Sequence, residues 1–172
     1  MVLAIATVTL SFAYPAFEQM IKRTKTTSAI NRMIGAVNIT RHTAVKFQAM
    51  TTLCALKPNG QCGASWNGTL TVFLDKNHNA QLEQEDTIIK RVAPVSKGTQ
   101  VSWRAFQNKR YLQMTPRGYT NFQNGNFVVC HNPAFARDAR QLVINVQGRT
   151  RINRRVNQQG WPVDRKGRVL KC

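Results

Sequence analysis

Residues 1–23 read MVLAIATVTLSFAYPAFEQMIKR, and the change of character at Glu18 decides the architecture. Met1 to Phe17 carries no charged side chain. Its 17 residues fall a little short of the ~20 that a spanning helix needs. No basic segment precedes the stretch and no small-residue cleavage site follows it cleanly, so a removable secretory signal fits poorly. It reads as a membrane helix whose beginning is missing. From Glu18 the composition turns polar, yet apolar or small residues recur at Ala29/Ile30, Met33/Ile34, Val37 and Ala44/Val45, reaching Gln48. That is the i, i+3, i+4, i+7 stripe of an amphipathic helix. The spacing predicts a helix from about Ala16 to Met50, continuous with the apolar part, with Pro15 bending it where membrane gives way to water. Such a helix requires membrane at one end and a sheet to cover its stripe at the other.

The sheet follows. Thr69–Leu74, Thr87–Ala93, Gln100–Phe106, Tyr111–Thr115, Asn126–Cys130 and Gln141–Val146 are short, rich in β-branched or aromatic residues, and bounded by Gly, Pro or Asn. Their spacing suits antiparallel hairpins. One helix on an antiparallel sheet is an α+β layer solution. The expected organisation is a truncated transmembrane part over 1–17, an amphipathic helix over 18–50, a β-rich globular part over 51–147 and a basic tail over 148–172.

At 172 residues the chain is long enough for a real core, and its net charge is +18. Residues 1–100 hold 11 basic and 5 acidic side chains, and residues 101–172 hold 14 and 2, so the excess lies toward the C-terminus. From Gly148 to Cys172 there are eight Lys or Arg against one acid, Asp164. The run is Arg-rich and has no amphipathic helical period, which argues for phosphate contact rather than a membrane-surface helix. Nucleic acid is the first polyanion to consider.

Four cysteines, Cys54, Cys62, Cys130 and Cys172, form no CxxC pair and have no histidine at zinc spacing. An even count behind a membrane-type N-terminus points to disulfides in an oxidising compartment. Three pairings are possible. Cys54–Cys62, closing a short Pro-Asn-Gly loop, and Cys130–Cys172, tying the chain end to a strand, are favoured. The stretch from Asp75 to Asp86 has the outline of a calcium loop, but Ala80 stands where Gly is needed and Asp86 where Glu is needed, so it reads as a polar hairpin loop. His42, His78 and His131 are scattered, and neither a nucleophile constellation nor a phosphate-binding Gly loop is present. No enzyme activity, metal or cofactor is expected.

The whole pattern resembles a type IV pilin: an apolar helix with a Pro near its membrane end, an amphipathic continuation and a β-rich, disulfide-bearing C-terminal part. Four pieces narrow the resemblance to the GspH/FimT family of minor pilins and pseudopilins. Trp66-Asn67-Gly68 followed by Val72-Phe73-Leu74-Asp75-Lys76-Asn77 is similar to its W-x-G … VF-x-D-x-N stretch. Met114-Thr115-Pro116-Arg117-Gly118 is similar to its apolar-x-P-x-G turn. Asn126–Cys130 with Ala139–Ile144 resembles its GxFxxC … ARxLVI ending, and Gly148-Arg149-Thr150-Arg151 its terminal G-R-x-R. The family's N-terminal G-F-T-L-x-E segment is absent from these residues.

The resemblance implies a single-pass inner-membrane subunit with a periplasmic domain, incorporated into a cell-surface pilus beside other major and minor pilins. It implies prepilin peptidase as a partner if the true N-terminus is longer. For the branch with G-R-x-R it implies DNA binding, duplex and sequence-independent, during natural transformation. The alternative is a structural minor pilin or type II secretion pseudopilin, in filament assembly or at a tip, that binds no DNA.

The expected DNA-binding set is Gly148, Arg149, Arg151, Arg154, Arg155, Arg165, Lys166, Arg168 and Lys171. If the strand continues, Arg149, Arg151, Asn153 and Arg155 share one face, ~7 Å apart. That is close to the spacing of successive phosphates along a DNA strand. Gly148 permits a bend or a close backbone approach, Thr150 and Asn153 can donate to phosphate oxygens, Ile152 can anchor the ribbon to the core, and Trp161 is a buried anchor or a base-stacking platform.

Overall fold

The computed structural model describes residues 2–131 and 136–172. Met1, the first residue of the apolar segment, lies outside them. One helix, α1 (Val2–Phe47), runs through Pro15 and takes up 46 residues. Its buried stripe is Ala29, Ile30, Met33, Ala36, Val37 and Ala44, as the periodicity demands. Ile34 is only half-buried, and Val45 and Gln48 are exposed. The helix stops three residues short of the expected Met50. Gln48 adopts a left-handed φ of 49°, its side-chain amide donates to the Val45 carbonyl at 2.7 Å, and the Ala49 N–H reaches back to Ala44. A left-handed residue at this point closes off the last carbonyls and turns the chain away.

Among the described residues eight strands follow: β1 (Thr51–Cys54), β2 (Leu70–Leu74), β3 (Thr87–Val92), β4 (Thr99–Ala105), β5 (Leu112–Met114), β6 (Gly125–His131), β7 (Arg140–Ile144) and β8 (Thr150–Asn153). They form two four-stranded sheets, ordered β3-β2-β1-β5 and β4-β6-β7-β8, with every named pair antiparallel. The six expected strands are all present, with ends that agree to within two residues. β1 was not expected. Its four residues are all buried and show no alternation, because it is a central strand with the helix on one face and a polar hub on the other.

Register explains why one helix can serve two sheets. In the first, Leu53 lies opposite Val72 and Leu112. In the second, Leu142 lies opposite Phe127 and Ile152, and Phe127 opposite Trp103. All of these join a single core with the helix stripe. Each large aliphatic or aromatic side chain so buried contributes about 1.5–3 kcal/mol. Trp66 and Phe127 meet edge-on at 4.9 Å between ring centroids, and Trp103 and Phe127 lie 4.3 Å apart. Such pairs add about 0.5–1.5 kcal/mol beyond burial.

The disulfides are Cys54–Cys62 and Cys130–Cys172, with Cα separations of 5.6 and 5.9 Å. The second ties residue 172 to β6 and brings Leu170 onto Val128 and Ala139, a small apolar cluster on the side of the second sheet away from the helix. The C-terminal residues therefore cover part of that outer face.

Candidate nucleic-acid interface

The basic region is a meander rather than one extended ribbon. β8 spans only Thr150–Asn153, so of Arg149, Arg151, Asn153 and Arg155, expected on one strand face, only Arg151 and Asn153 lie on the strand. Beyond β8 the chain doubles back twice through isolated bridges, Val156 to Pro162 and Val163 to Val169.

One turn recurs four times, over Thr115–Tyr119, Asn145–Arg149, Asn157–Trp161 and Asp164–Arg168. In each, the fourth residue is a glycine with φ between 71° and 79°. Its N–H donates to the first carbonyl, and the first N–H donates to the fifth carbonyl. The first residue's side-chain oxygen accepts from the fifth N–H, at 3.2, 2.9, 2.8 and 3.0 Å respectively. Asn, Asp and Thr supply that oxygen and Gly supplies the positive φ. The signature N/D/T-x-x-G is present in the sequence and predicts the turns. It was the missed signal that the tail is folded.

Gly148 illustrates what this does to the G-R-x-R motif. The residue is buried, its φ is 71°, and a Cβ there would lie 2.6 Å from the Gly118 carbonyl oxygen. The same oxygen accepts from Arg41 Nε of α1 at 3.0 Å. The two glycine turns thus stack on each other and on the helix. Gly148 itself is buried, and its turn leaves the next residue, Arg149, exposed.

All eight basic residues of the expected set are exposed, but they divide by direction. Arg149 sits at the β7–β8 hairpin. Arg151 lies on the outer face of the second sheet, because its register partner Val143 alternates with the inward Leu142 and Ile144. Arg168 and Lys171 border a groove on that same outer face, together with Arg104, Asn126 and Gln141. Arg154 and Arg155 border a different groove, toward Thr27 and Asn31 of α1. Arg155 also donates to the Arg165 carbonyl at 3.4 Å, and Lys166 occupies the tip of the last turn.

The only acid of the tail is fully engaged. Asp164 accepts from the Lys166 and Arg168 N–H groups at 2.8 and 3.0 Å and pairs with the Arg168 guanidinium at 2.8 Å. The Arg168 N–H first, then the Arg168 guanidinium and the Lys166 N–H, hold its carboxyl below the usual carboxylate range, against an opposing contribution from burial. Arg168 is therefore partly neutralised, whereas no described acid pairs with the other basic residues of the tail.

Asn153 is not free to meet phosphate, since its amide donates to Gln141 Oε1 and to the Val163 carbonyl, each at 2.7 Å. Ile152 packs on the core. Trp161 is half-buried, with the Arg137 guanidinium 5.3 Å from its ring centroid. Sequence reasoning missed Arg104. The alternation of Val101 and Trp103 inward puts Arg104 outward, but only the sheet order brings it beside the tail.

The other motif residues serve the scaffold. Asn67 Oδ1 accepts from the Val101 N–H at 2.7 Å. Asp75 is fully buried. It accepts from Thr52 Oγ1 at 2.7 Å, Gln113 Nε2 at 2.8 Å and the Asn79 and Ala80 N–H groups at 3.1 and 2.9 Å. Both of its oxygens are occupied by protein donors. Among the described residues no cluster of three acidic, His or Cys side chains could hold a metal.

Residues 29–148 match the sequence model of the family described as Type II transport protein GspH. The match ends at Gly148, before the arginines. No curated protein sequence matches the chain significantly. Two crystal structures of the Pseudomonas aeruginosa PAO1 type IV minor pilin FimU share the fold. In space group P21 the TM-score is 0.61 at 16% identity, covering 77% of this chain and 91% of that one. In space group P65 the values are 0.53 and 16%, with 73% and 90% covered. With the match to residues 29–148 and a long helix laid across antiparallel sheets, this chain belongs to the GspH family of minor pilins and pseudopilins.

Proposed function

We propose that this minor pilin binds extracellular DNA without sequence preference, through Arg149, Arg151 and the basic residues that follow, and so promotes DNA uptake in natural transformation. One observation carries the reading. Eight basic side chains are exposed on a short folded segment whose single acid is already taken up by Arg168. Arginines held on strands and turns lose little freedom when they meet phosphates, which suits contact with a nucleic-acid backbone.

The chain is read as working in four parts: 1–17 as the membrane end of α1, 18–50 as its amphipathic continuation, 51–147 as the globular part and 148–172 as the DNA-contacting part. No helix among the described residues is long and apolar enough to cross a membrane by itself. Inner-membrane anchoring, a periplasmic globular part and processing by a prepilin peptidase belong to this proposal and follow from the family. Other pilins are the natural partners for α1, where Tyr14, Phe17 and Met20 are 75%, 65% and 67% exposed.

The test is a titration of the full chain, in neutral detergent, against random-sequence duplex over a salt series. Binding with a log–log salt slope near −0.9 per neutralised phosphate is expected. Arg149→Gln with Arg151→Gln should flatten the slope by about 2 without moving the melting temperature. No affinity at about 0.15 M salt, or intact affinity in the double variant, would overturn the reading. A subunit of filament assembly alone would then stand, a reading favoured by the family match that stops at Gly148.

A further inference from the structure

We infer that the DNA contact extends off the tail onto the outer face of the second sheet, with Arg104 of β4 as a phosphate-binding residue. This rests on the reading above and adds a site that the C-terminal motif does not contain.

The sheet register carries the inference. Arg104 lies opposite Asn126, Asn126 opposite Val143, and Val143 opposite Arg151. These four residues form one row across β4, β6, β7 and β8, on the face turned away from the core. An arginine stands at each end of the row. Three strand spacings separate them, ~14 Å, roughly two phosphate steps along a DNA strand. Between them lie an asparagine and a half-buried valine, which leave the floor of the row low.

The neighbouring row is covered. Ser102, Val128, Gln141 and Asn153 are register partners in turn, and the tail lies over them, through Leu170 on Val128 and the Asn153 bond to the Val163 carbonyl. The tail thus forms a wall beside an open trough, and Lys171 and the paired Arg168 line that wall with Arg104 across from them. Asp164 also borders the groove, but its charge is answered by Arg168. Arg104, Arg151 and Lys171 remain as cations with no described acid partner. Three cations around an open trough floored by Asn126 and Val143 complement a phosphodiester backbone. An acidic protein partner would instead call for large apolar anchors, whereas the aliphatic side chains that reach the surface here are two valines, the half-buried Val143 and Val169, 41% exposed.

The experiment compares the full chain, Arg104→Gln, Arg91→Gln and the Arg149/Arg151 double variant in the duplex titration. Arg91 is an exposed arginine on β3 of the other sheet, so its variant removes the same charge from a distant place. Arg104→Gln should weaken binding about five-fold and reduce the salt slope by about 0.9, the loss of one phosphate contact. Arg91→Gln should lie within two-fold of the unsubstituted chain, the screening of a distant charge. Equal behaviour of Arg104→Gln and Arg91→Gln, with the double variant still defective, would overturn the trough and leave the tail reading intact. No binding by the unsubstituted chain would overturn both.

Discussion

The two sheets share an inner face and differ on the outer one. Both turn aliphatic and aromatic residues toward α1. Behind the first sheet, Thr52, Gln113 and Asp75 are buried in a hydrogen-bonded hub covered by the loop after β2. Behind the second, the cover is the C-terminal meander, held by the Cys130–Cys172 bond and by Leu170. The first face is closed by neutralising every donor and acceptor in place. The second is only partly closed, and by a segment with eight cations. The molecule thus separates a side sealed by buried hydrogen bonds from a side covered by an exposed basic segment.

Breaking the sealed side should have the largest effect on folding. Asp75→Ala removes the acceptor for four donors, two of them backbone N–H groups. Leaving buried donors unmet costs about 1–3 kcal/mol each, not additively, so a loss of roughly 4 kcal/mol is expected in urea denaturation. At temperatures where that variant is folded, the DNA binding proposed for the tail should be unchanged.

Breaking the other cover should cost less stability and more binding. Cys130 and Cys172 are 42 residues apart, and a loop of that length sets a ceiling of about 4 kcal/mol in the chain-entropy view. Because the chain end can open without global unfolding, the loss in Cys172→Ser with Cys130→Ser should be nearer ~2 kcal/mol. Trypsin should then cut after Arg165 and Lys166 faster than in the oxidised parent. Unchanged cleavage would show that Leu170 and the turns hold the meander without the bond.

Gly148→Ala tests the junction between the two regions. The left-handed φ and the 2.6 Å approach to Gly118 oxygen both oppose a methyl group, and a loss of roughly 1–2 kcal/mol is expected. Arg149 and Arg151 are retained, so weaker binding in this variant would report their misplacement.

The smallest effect is a pH dependence on the second sheet. Burial first, then the nearby Lys25 and Lys22, push His131 below its ordinary 6.5, with Asp138 opposing. Its Nδ1 lies 3.1 Å from Thr99 Oγ1. With the folded value depressed, the unfolded chain binds more protons in the window beneath 6.5. Stability is therefore complete above that pH and falls as acid carries the solution down through the folded value. His131→Gln should flatten the profile in thermal melts between pH 7 and 5; an unaltered slope would assign it to other groups.

The sequence by itself determined the helix, the six clearest strands and the cysteine pairs worth considering, because each rests on local periodicity or spacing. It also placed the cations along the chain. β1 was illegible, since a four-residue strand buried on both faces has no alternation to read. The extent of the ribbon was misjudged because strand pairing, not composition, ended β8 at Asn153. Only the tertiary structure decided which residues stand together. The sheet order brought Arg104 into the row with Arg151, and the chain reversal at Asp164–Arg168 set Lys171 across from it. Those juxtapositions depend on register and crossover between residues far apart in sequence, quantities that no local pattern of side chains encodes.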